Sequence, residues 1–352
     1  MSIVTYVGLD VHKKSISFCL KRADGEIINE GEVPARRPDL LAWARQLPQP
    51  WIGALEATLF SSWIYHLLKP LAADLKMGNP ARMLAISAGK KKNDRLDART
   101  IADLLRANLL PACWVPPPEL EHLRRQMRFR GLLVRQCVLY KNKIAGLLLE
   151  TGAEYETRKL HGQRYFADLL SHGDVAGEIK PMLKFSRQQV EALRHMDRQI
   201  ITELRANPLL LERVSELEKL KAVGKILALT WVLEIGDPER MPSISDAQSY
   251  CGLTSAQRSS AGKDRRGPIS KQRNKHIQTV LVEAAKVAPQ WNPKLKEVHT
   301  RELERGHKNR ASLAVARKLV AYLLAVDRAT VRRQRGDSKY TNKEATHAGK
   351  SC

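Results

Sequence analysis

The sequence predicts an α/β N-terminal domain, a helical middle region and a mainly α C-terminal domain. Three observations predict it. Short apolar runs with strand character alternate with amphipathic helical stretches through residue 115. Pro116-Pro117-Pro118 then breaks the pattern, because three prolines continue neither a helix nor a central strand. Beyond them come long helical tracts with almost no strand signal. A chain of 352 residues has room for two or three domains at roughly 150 residues each. The expected division is 1–115, 116–215, 216–327, and a basic flexible tail at 328–352.

The elements follow in order. Residues 3–9 are β-rich, and 15–20 alternate around Ile16 and Phe18. Ala23-Asp24-Gly25-Glu26 supplies a turn before a third strand at Ile27-Ile28. Pro38 opens a helix over 39–47, since its fixed φ suits a first helical turn. A buried strand over 51–55 ends at Glu56. A helix (62–68) and a strand (73–77) follow, closed by Gly78-Asn79-Pro80. Asn93 is placed to cap a helix over 93–108, whose apolar stripe is Leu96, Ile101, Leu104 and Leu105. After the prolines, 119–150 and 174–206 read as helices. In the second, Val190, Leu193, Asp197, Ile200 and Leu204 have coiled-coil spacing with one polar interruption, which predicts pairing within or between chains. Helical runs flank a Val223-Gly224-Lys225 turn able to offer N–H groups and a lysine to a phosphate. A basic loop over 258–275 and helices at 276–288 and 310–325 complete the chain.

Lys and Arg number 60 against 37 Asp and Glu, a formal net charge of +23. Through residue 115 there are 16 basic and 11 acidic residues, so the net is +5 there and +18 in the remainder. Such an excess favours a polyanionic partner, nucleic acid before membrane. No apolar run reaches the ~18 residues of a spanning helix, and the first residues lack the order of a signal peptide. The five scattered cysteines form no CxxC pair, so neither a zinc site nor a disulfide framework is signalled. A cytoplasmic protein is expected.

Four acids stand out. Asp10 and Glu56 each end a strand, and Asp94 and Asp97 lie three apart on one helix face. Hard carboxylate oxygens in this β-then-α order are the parts of a two-metal phosphoryl-transfer site holding magnesium. Taken singly, Asp94 and Asp97 could merely meet the helix dipole, and Asp10 could cap a turn. Glu56, closing an apolar run, needs a partner. In the basic loop, Arg258, Lys263, Arg265, Arg266, Lys271, Arg273 and Lys275 surround Ser259-Ser260-Ala261-Gly262 with a single acid, Asp264. A serine attacks phosphorus only where phosphate charge is neutralised. An ordinary turn in a phosphate-gripping loop is the other reading. Lys90-Lys91-Lys92 could steer a phosphate, Arg332-Arg333-Gln334-Arg335 is a generic basic patch, and no histidine is given a role.

Gly8-Leu9-Asp10-Val11-His12-Lys13, Glu56-Ala57-Thr58 and Lys92-Asn93-Asp94-Arg95-Leu96-Asp97-Ala98-Arg99 resemble the DEDD domain of the Piv/MooV-like transposases, insertion-sequence family one-hundred-and-ten. Ile235-Gly236-Asp237-Pro238, Tyr250-Cys251-Gly252-Leu253-Thr254, Ser259-Ser260-Ala261-Gly262-Lys263 and Arg266-Gly267-Pro268-Ile269-Ser270-Lys271 are similar to its C-terminal domain. The resemblance covers about residues 5–325. It implies a RuvC-like, ribonuclease-H-like fold with magnesium on Asp10, Glu56, Asp94 and Asp97, and a coiled-coil insert assembling dimers or tetramers. It also implies a nucleophilic serine, matched to Ser260 with Ser259 adjacent, that joins covalently to DNA. Carboxylates and serine from different protomers, and a bridge RNA pairing with donor and target DNA, are implied as well. The chain departs from the pattern at Ala261, where glycine is usual, and at Ser255, where proline is common. Two other classes stay open: a RuvC-like junction nuclease using metal-activated water, and a non-catalytic nucleic-acid-binding protein.

Overall fold

The computed structural model describes residues 4–86, 94–171, 174–260, 263–269 and 272–336. Two compact units emerge, Met1–Pro118 and Glu119–Cys352, so the first divides from the second at the proline run.

The first unit is built on six strands: β1 (Thr5–Val11), β2 (Ser15–Lys21), β3 (Ile27–Pro34), β4 (Trp51–Glu56), β5 (Asp74–Gly78) and β6 (Ala112–Cys113), in the order β3-β2-β1-β4-β5-β6. β1, β4 and β5 are parallel, while β2, β3 and β6 join antiparallel. The helices are α1 (Arg37–Arg45), α2 (Ser61–Leu68), α3 (Pro80–Ile86) and α4 (Asp94–Arg106). Period-two alternation sorts the side chains onto two faces. Val7, Leu9 and Val11 of β1 and Trp51 and Leu55 of β4 are buried in one core with Leu40 of α1 and Ile64 and Leu68 of α2. Ala54, on the opposite face, joins Met83 of α3 and Ile101, Leu104 and Leu105 of α4 in a second core. The alternating strand and helix order is therefore as expected. Pro80 opens α3 rather than closing the preceding strand, and the third strand extends to Pro34. Asn93 and Lys90-Lys91-Lys92 lie outside the described residues.

The second unit is helical apart from one two-stranded ribbon. Its helices are α5 (Pro118–Glu150), α6 (Gln163–Ser171), α7 (Lys180–Ala206), α8 (Pro208–Glu218), α9 (Lys225–Ile235), α10 (Ile244–Tyr250), α11 (Lys275–Val287), α12 (Pro293–Glu304) and α13 (Lys308–Gln334). Every residue of α9 from Leu227 to Ile235 is buried, the mark of a helix at the centre of a core. Leu123 and Met127 of α5, Leu204 of α7 and Val214 of α8 share that core with α9, α11 and α13; residue 215 lies inside α8. The far half of α5 packs with α6 and the start of α7 around Ile144, Leu148 and Leu183. Asp197, the polar break in the α7 stripe, pairs with Arg130 of α5 at 2.7 Å.

Two expectations need correction here. Residues 258–260 and 263–269 are not loop: β7 (Ser255–Ser260) and β8 (Lys263–Ile269) pair as an antiparallel ribbon, whose polar sequence carries no apolar alternation to announce it. Nor does order end at Asp327, although residues 337–352 of the expected tail lie outside the described residues. α13 runs on to Gln334 because Asp327, 1% exposed, receives Arg213 of α8 through both guanidinium edges at 2.7 and 2.8 Å, and the Trp231 indole N–H of α9 at 2.9 Å. The arginines beyond it pair too: Arg332 with Glu239, Arg333 with Glu212 and Arg335 with Asp237. No described helix is long and apolar enough to cross a membrane.

Candidate active site

Asp10 and Glu56 are brought side by side by strand register. β1 and β4 run parallel with Leu9 opposite Leu55, so the next residues, Asp10 and Glu56, leave adjacent strands about 4.8 Å apart. Both fall on the face opposite Leu9 and Leu55, which is the face of Gly8, Ala54 and α4. Asp10 is only 4% exposed, and Glu56 is half-buried. The turn after Glu56 is pinned from below: fully buried Ser61 donates its hydroxyl to the Glu56 carbonyl at 2.5 Å and accepts the Thr58 N–H at 2.8 Å. Glu56-Ala57-Thr58 is thus a fixed strand end.

α4 carries the other two acids across this face. A Cβ on Gly8 would stand 2.1 Å from the Ala98 carbonyl oxygen and 2.6 Å from the Ala102 nitrogen. Only glycine lets the helix backbone lie directly on β1. Asp97, half-buried, immediately precedes Ala98, and Asp94 begins the helix; the Asp94 side chain lies outside the described ones. Further along, Arg99 grips Glu30 of β3 with two hydrogen bonds of 2.6 Å, and Lys21 of β2 donates to Asp103 at 2.5 Å. These pairs fix the rotation of α4 about its axis. Spacing along the sequence signals none of Gly8, Ser61, Arg99 or Glu30 as a partner, although Gly8 and Arg99 sit inside the quoted motifs. His12, given no role from sequence, places Nε2 3.0 Å from Asp10 Oδ2. All four predicted acids are hard oxygen donors suited to magnesium. Among the described residues, no three Asp, Glu, His or Cys side chains form a ready metal-holding group.

The second candidate region is the ribbon. Ser260 ends β7 opposite Lys263, Ser259 is opposite Asp264, Arg258 opposite Arg265 and Gln257 opposite Arg266. Ala261, Gly262 and Lys271 lie outside the described residues. Arg273 and Lys275 are exposed where the chain enters α11. At its base the ribbon is closed by the Asn274 N–H donating to the Tyr250 carbonyl at 3.0 Å. Gly252, with φ of +69°, packs against Arg273, where any Cβ would collide at 2.6 Å. Gln278 donates to the Gly252 carbonyl, and Arg317 Nε to that of Leu253 at 2.8 Å. The Tyr250-Cys251-Gly252-Leu253-Thr254 motif is therefore the root of the ribbon.

An acid-bearing mixed sheet with α4 laid on one face, followed by a helical unit, fits the DEDD transposase class. Comparison with known proteins agrees. A DEDD transposase family of the IS110 type matches residues 7–152, and "Transposase IS116/IS110/IS902 family" matches residues 214–300. A putative transposase, y4qE, of Sinorhizobium fredii is 28% identical over 80% of this chain and 70% of its own length. The transposase of insertion sequence IS1328 from Yersinia enterocolitica is 25% identical over 91% and 95%. A probable family 20 transposase of Pseudomonas aeruginosa is 25% identical over 71% and 75%. The chain belongs to the IS110 family of insertion-sequence transposases, and its substrate is DNA.

Proposed function

We propose that this transposase cuts and rejoins DNA through a covalent Ser260–DNA intermediate. Asp10, Glu56, Asp94 and Asp97 hold magnesium, and a bridge RNA pairs with donor and target DNA. The observation that carries the reading is the ribbon register: Ser260 is the last residue of β7 and pairs with Lys263, whereas Ser259 pairs with Asp264. Phosphate charge is neutralised beside a cation and repelled beside an acid. Lys271, Arg273, Lys275 and Arg266 extend the grip along the sugar-phosphate backbone without reading sequence.

In the reaction, the Ser260 Oγ–P bond forms as a backbone P–O bond breaks. The serine proton leaves to a base and the departing sugar oxygen takes one up. A hydroxyl of the incoming strand then displaces the serine and restores a phosphodiester. Magnesium supplies positive charge toward the phosphate oxygens. Assembly into a dimer or tetramer through the helical region accords with the exposed Phe129, Leu132 and Leu139 on α5, spaced three and seven apart as one helix stripe. The reading puts the protein in the bacterial cytoplasm, on the nucleoid when bound to DNA.

Denaturing capture of a protein–DNA adduct tests it. Wild type and Ser259→Ala should yield the adduct, and Ser260→Ala should bind DNA within about twofold of wild type but yield none. Cleavage without any adduct would instead mean attack by water, as in a junction nuclease. Binding indifferent to magnesium with no cleavage would mean a non-catalytic binder. Sequencing the co-purifying RNA tests guidance: one discrete structured species is expected, and heterogeneous RNA strippable by salt would remove that part.

A further inference from the structure

Glu234 is the penultimate residue of α9 and has a side chain only 2% exposed, yet it carries a charge. Burial works against that charge, but Arg128, Arg124 and Asn274 overcome it and hold the carboxyl at about 2. Arg124 donates to Oε2 at 2.9 Å, and Arg128 grips both oxygens at 2.8 Å. Asn274 Nδ2 donates to Oε2 at 2.7 Å and lies 3.1 Å from the Tyr250 hydroxyl, which itself donates to the Glu234 carbonyl at 2.9 Å.

These partners come from three places. Arg124 and Arg128 lie one turn apart on α5, whereas Tyr250 and Asn274 are the two residues between which the ribbon leaves and re-enters the helical core. A buried carboxylate with two guanidiniums is a poor source of net stability, because apolar residues of the same volume serve as well. What it supplies is geometry: both oxygens are engaged, Oε1 by Arg128 and Oε2 by Arg124, Arg128 and Asn274, so a shift of the ribbon's neck removes a partner from a buried charge.

We propose that Glu234 is a positioning residue, which with Asn274 and Tyr250 sets the neck of the serine ribbon and couples it to α5 through Arg124 and Arg128. The inference rests on Ser260 being the nucleophile for its effect on the reaction, but not for its effect on the neck. Asn274 also caps α11, its Oδ1 accepting from the His276 and Ile277 N–H groups at 3.1 and 3.4 Å. Asn274→Ser keeps a capping oxygen and removes the amide that bridges Glu234 and Tyr250. Tyr250→Phe removes the hydroxyl alone.

Both variants, as full-length protein, should melt within a few degrees of wild type and bind DNA within about twofold. Adduct formation should be at least tenfold slower. Amide hydrogen exchange over residues 255–269 should be at least tenfold faster, with α13 unchanged. Wild-type adduct and exchange rates in both folded variants would overturn the inference. So would a loss of rate that only tracks the loss of folded protein. If wild type forms no adduct, or Ser260→Ala still does, the nucleophile assignment fails; the exchange measurement then decides the neck by itself.

Discussion

Replacing Gly8 by alanine tests whether the carboxylate geometry depends on direct backbone contact between α4 and β1. The added methyl would sit 2.1 Å from the Ala98 carbonyl oxygen, 2.6 Å from the Ala102 nitrogen and 3.0 Å from the Ala102 Cβ. Ordinary contact begins near 3.4 Å, so α4 must retreat by about 1 Å, because the two nearest atoms are backbone and cannot rotate away. Overpacking of this kind costs about 1–3 kcal/mol. The catalytic consequence is larger. Asp94 and Asp97 ride on the displaced helix, and a misplacement of about 1 Å lowers rates on the order of 100-fold. Urea unfolding measures the first effect, and magnesium-dependent strand cleavage at saturating DNA the second. Gly8→Ala combined with Ala102→Gly should recover little, since that change removes only the farthest of the three clashes. Wild-type cleavage by Gly8→Ala, or full rescue by the double variant, would refute the contact as the determinant.

Acid should expose the buried carboxylate of the second unit. The Glu234 carboxyl is held at about 2 in the folded chain against an ordinary 4.5. A depressed folded value means that the stabilisation is complete above 4.5 and is lost as pH falls toward 2; it amounts to about 3 kcal/mol. Urea midpoints of wild type and Glu234→Gln should differ at pH 6, the gap should shrink to under half at pH 3 and nearly close only near pH 2, and parallel curves would contradict the assignment. The arginines at the end of α13 should behave as structure and not as a nucleic-acid grip. Replacing Arg332, Arg333 and Arg335 together by glutamine should lower the melting temperature by a few degrees, each pair contributing about 0–1 kcal/mol, and leave the salt dependence of DNA binding unchanged. Replacing Arg258 and Arg265 should instead reduce the slope of log K against log salt by about 0.9 for each phosphate no longer neutralised; the reverse pattern would count against the ribbon.

What is legible in the sequence is what repeats locally. The β-rich run over 3–9 and the apolar run over 51–55 expose both strands and put Asp10 and Glu56 just after them, although β1 itself continues to Val11, and three prolines mark the division between units. Residues that hold the candidate sites in place are mostly invisible there, because their partners are remote. Arg99 finds Glu30 sixty-nine residues away, and Glu234 finds Arg124 at a separation of 110. No window on the sequence contains such a pair. The ribbon escapes for a different reason: alternation is visible only where one face is apolar, and here both faces are polar. Gly8 can be suspected from its place in a strand between Val7 and Leu9, where a residue without a side chain signals close approach of another backbone. The end of α13 misleads on composition alone, since a basic stretch looks solvated until the acids of Glu239, Glu212 and Asp237 are seen opposite it.

The two units solve one mechanical problem in the same way. In the proposed mechanism the residues that reach a phosphate stand at or near the ends of their strands, each with one ladder partner left: Ser17 for Asp10, Gly78 for Glu56 and Lys263 for Ser260. Asp10 and Glu56 stand one residue past the last β1–β4 pair, and Ser260 is the last residue of β7. An end position is also where backbone order is usually weakest. Each is therefore clamped from beneath by groups that do not reach the end themselves. Ser61 fixes the carbonyl of Glu56, Gly8 admits α4 onto β1, and the Tyr250–Asn274 pair closes the ribbon over Glu234. Precision at the ends of elements is thus supplied by burial several ångströms below them. Substitutions at the clamps should then impair chemistry before they impair folding or DNA binding.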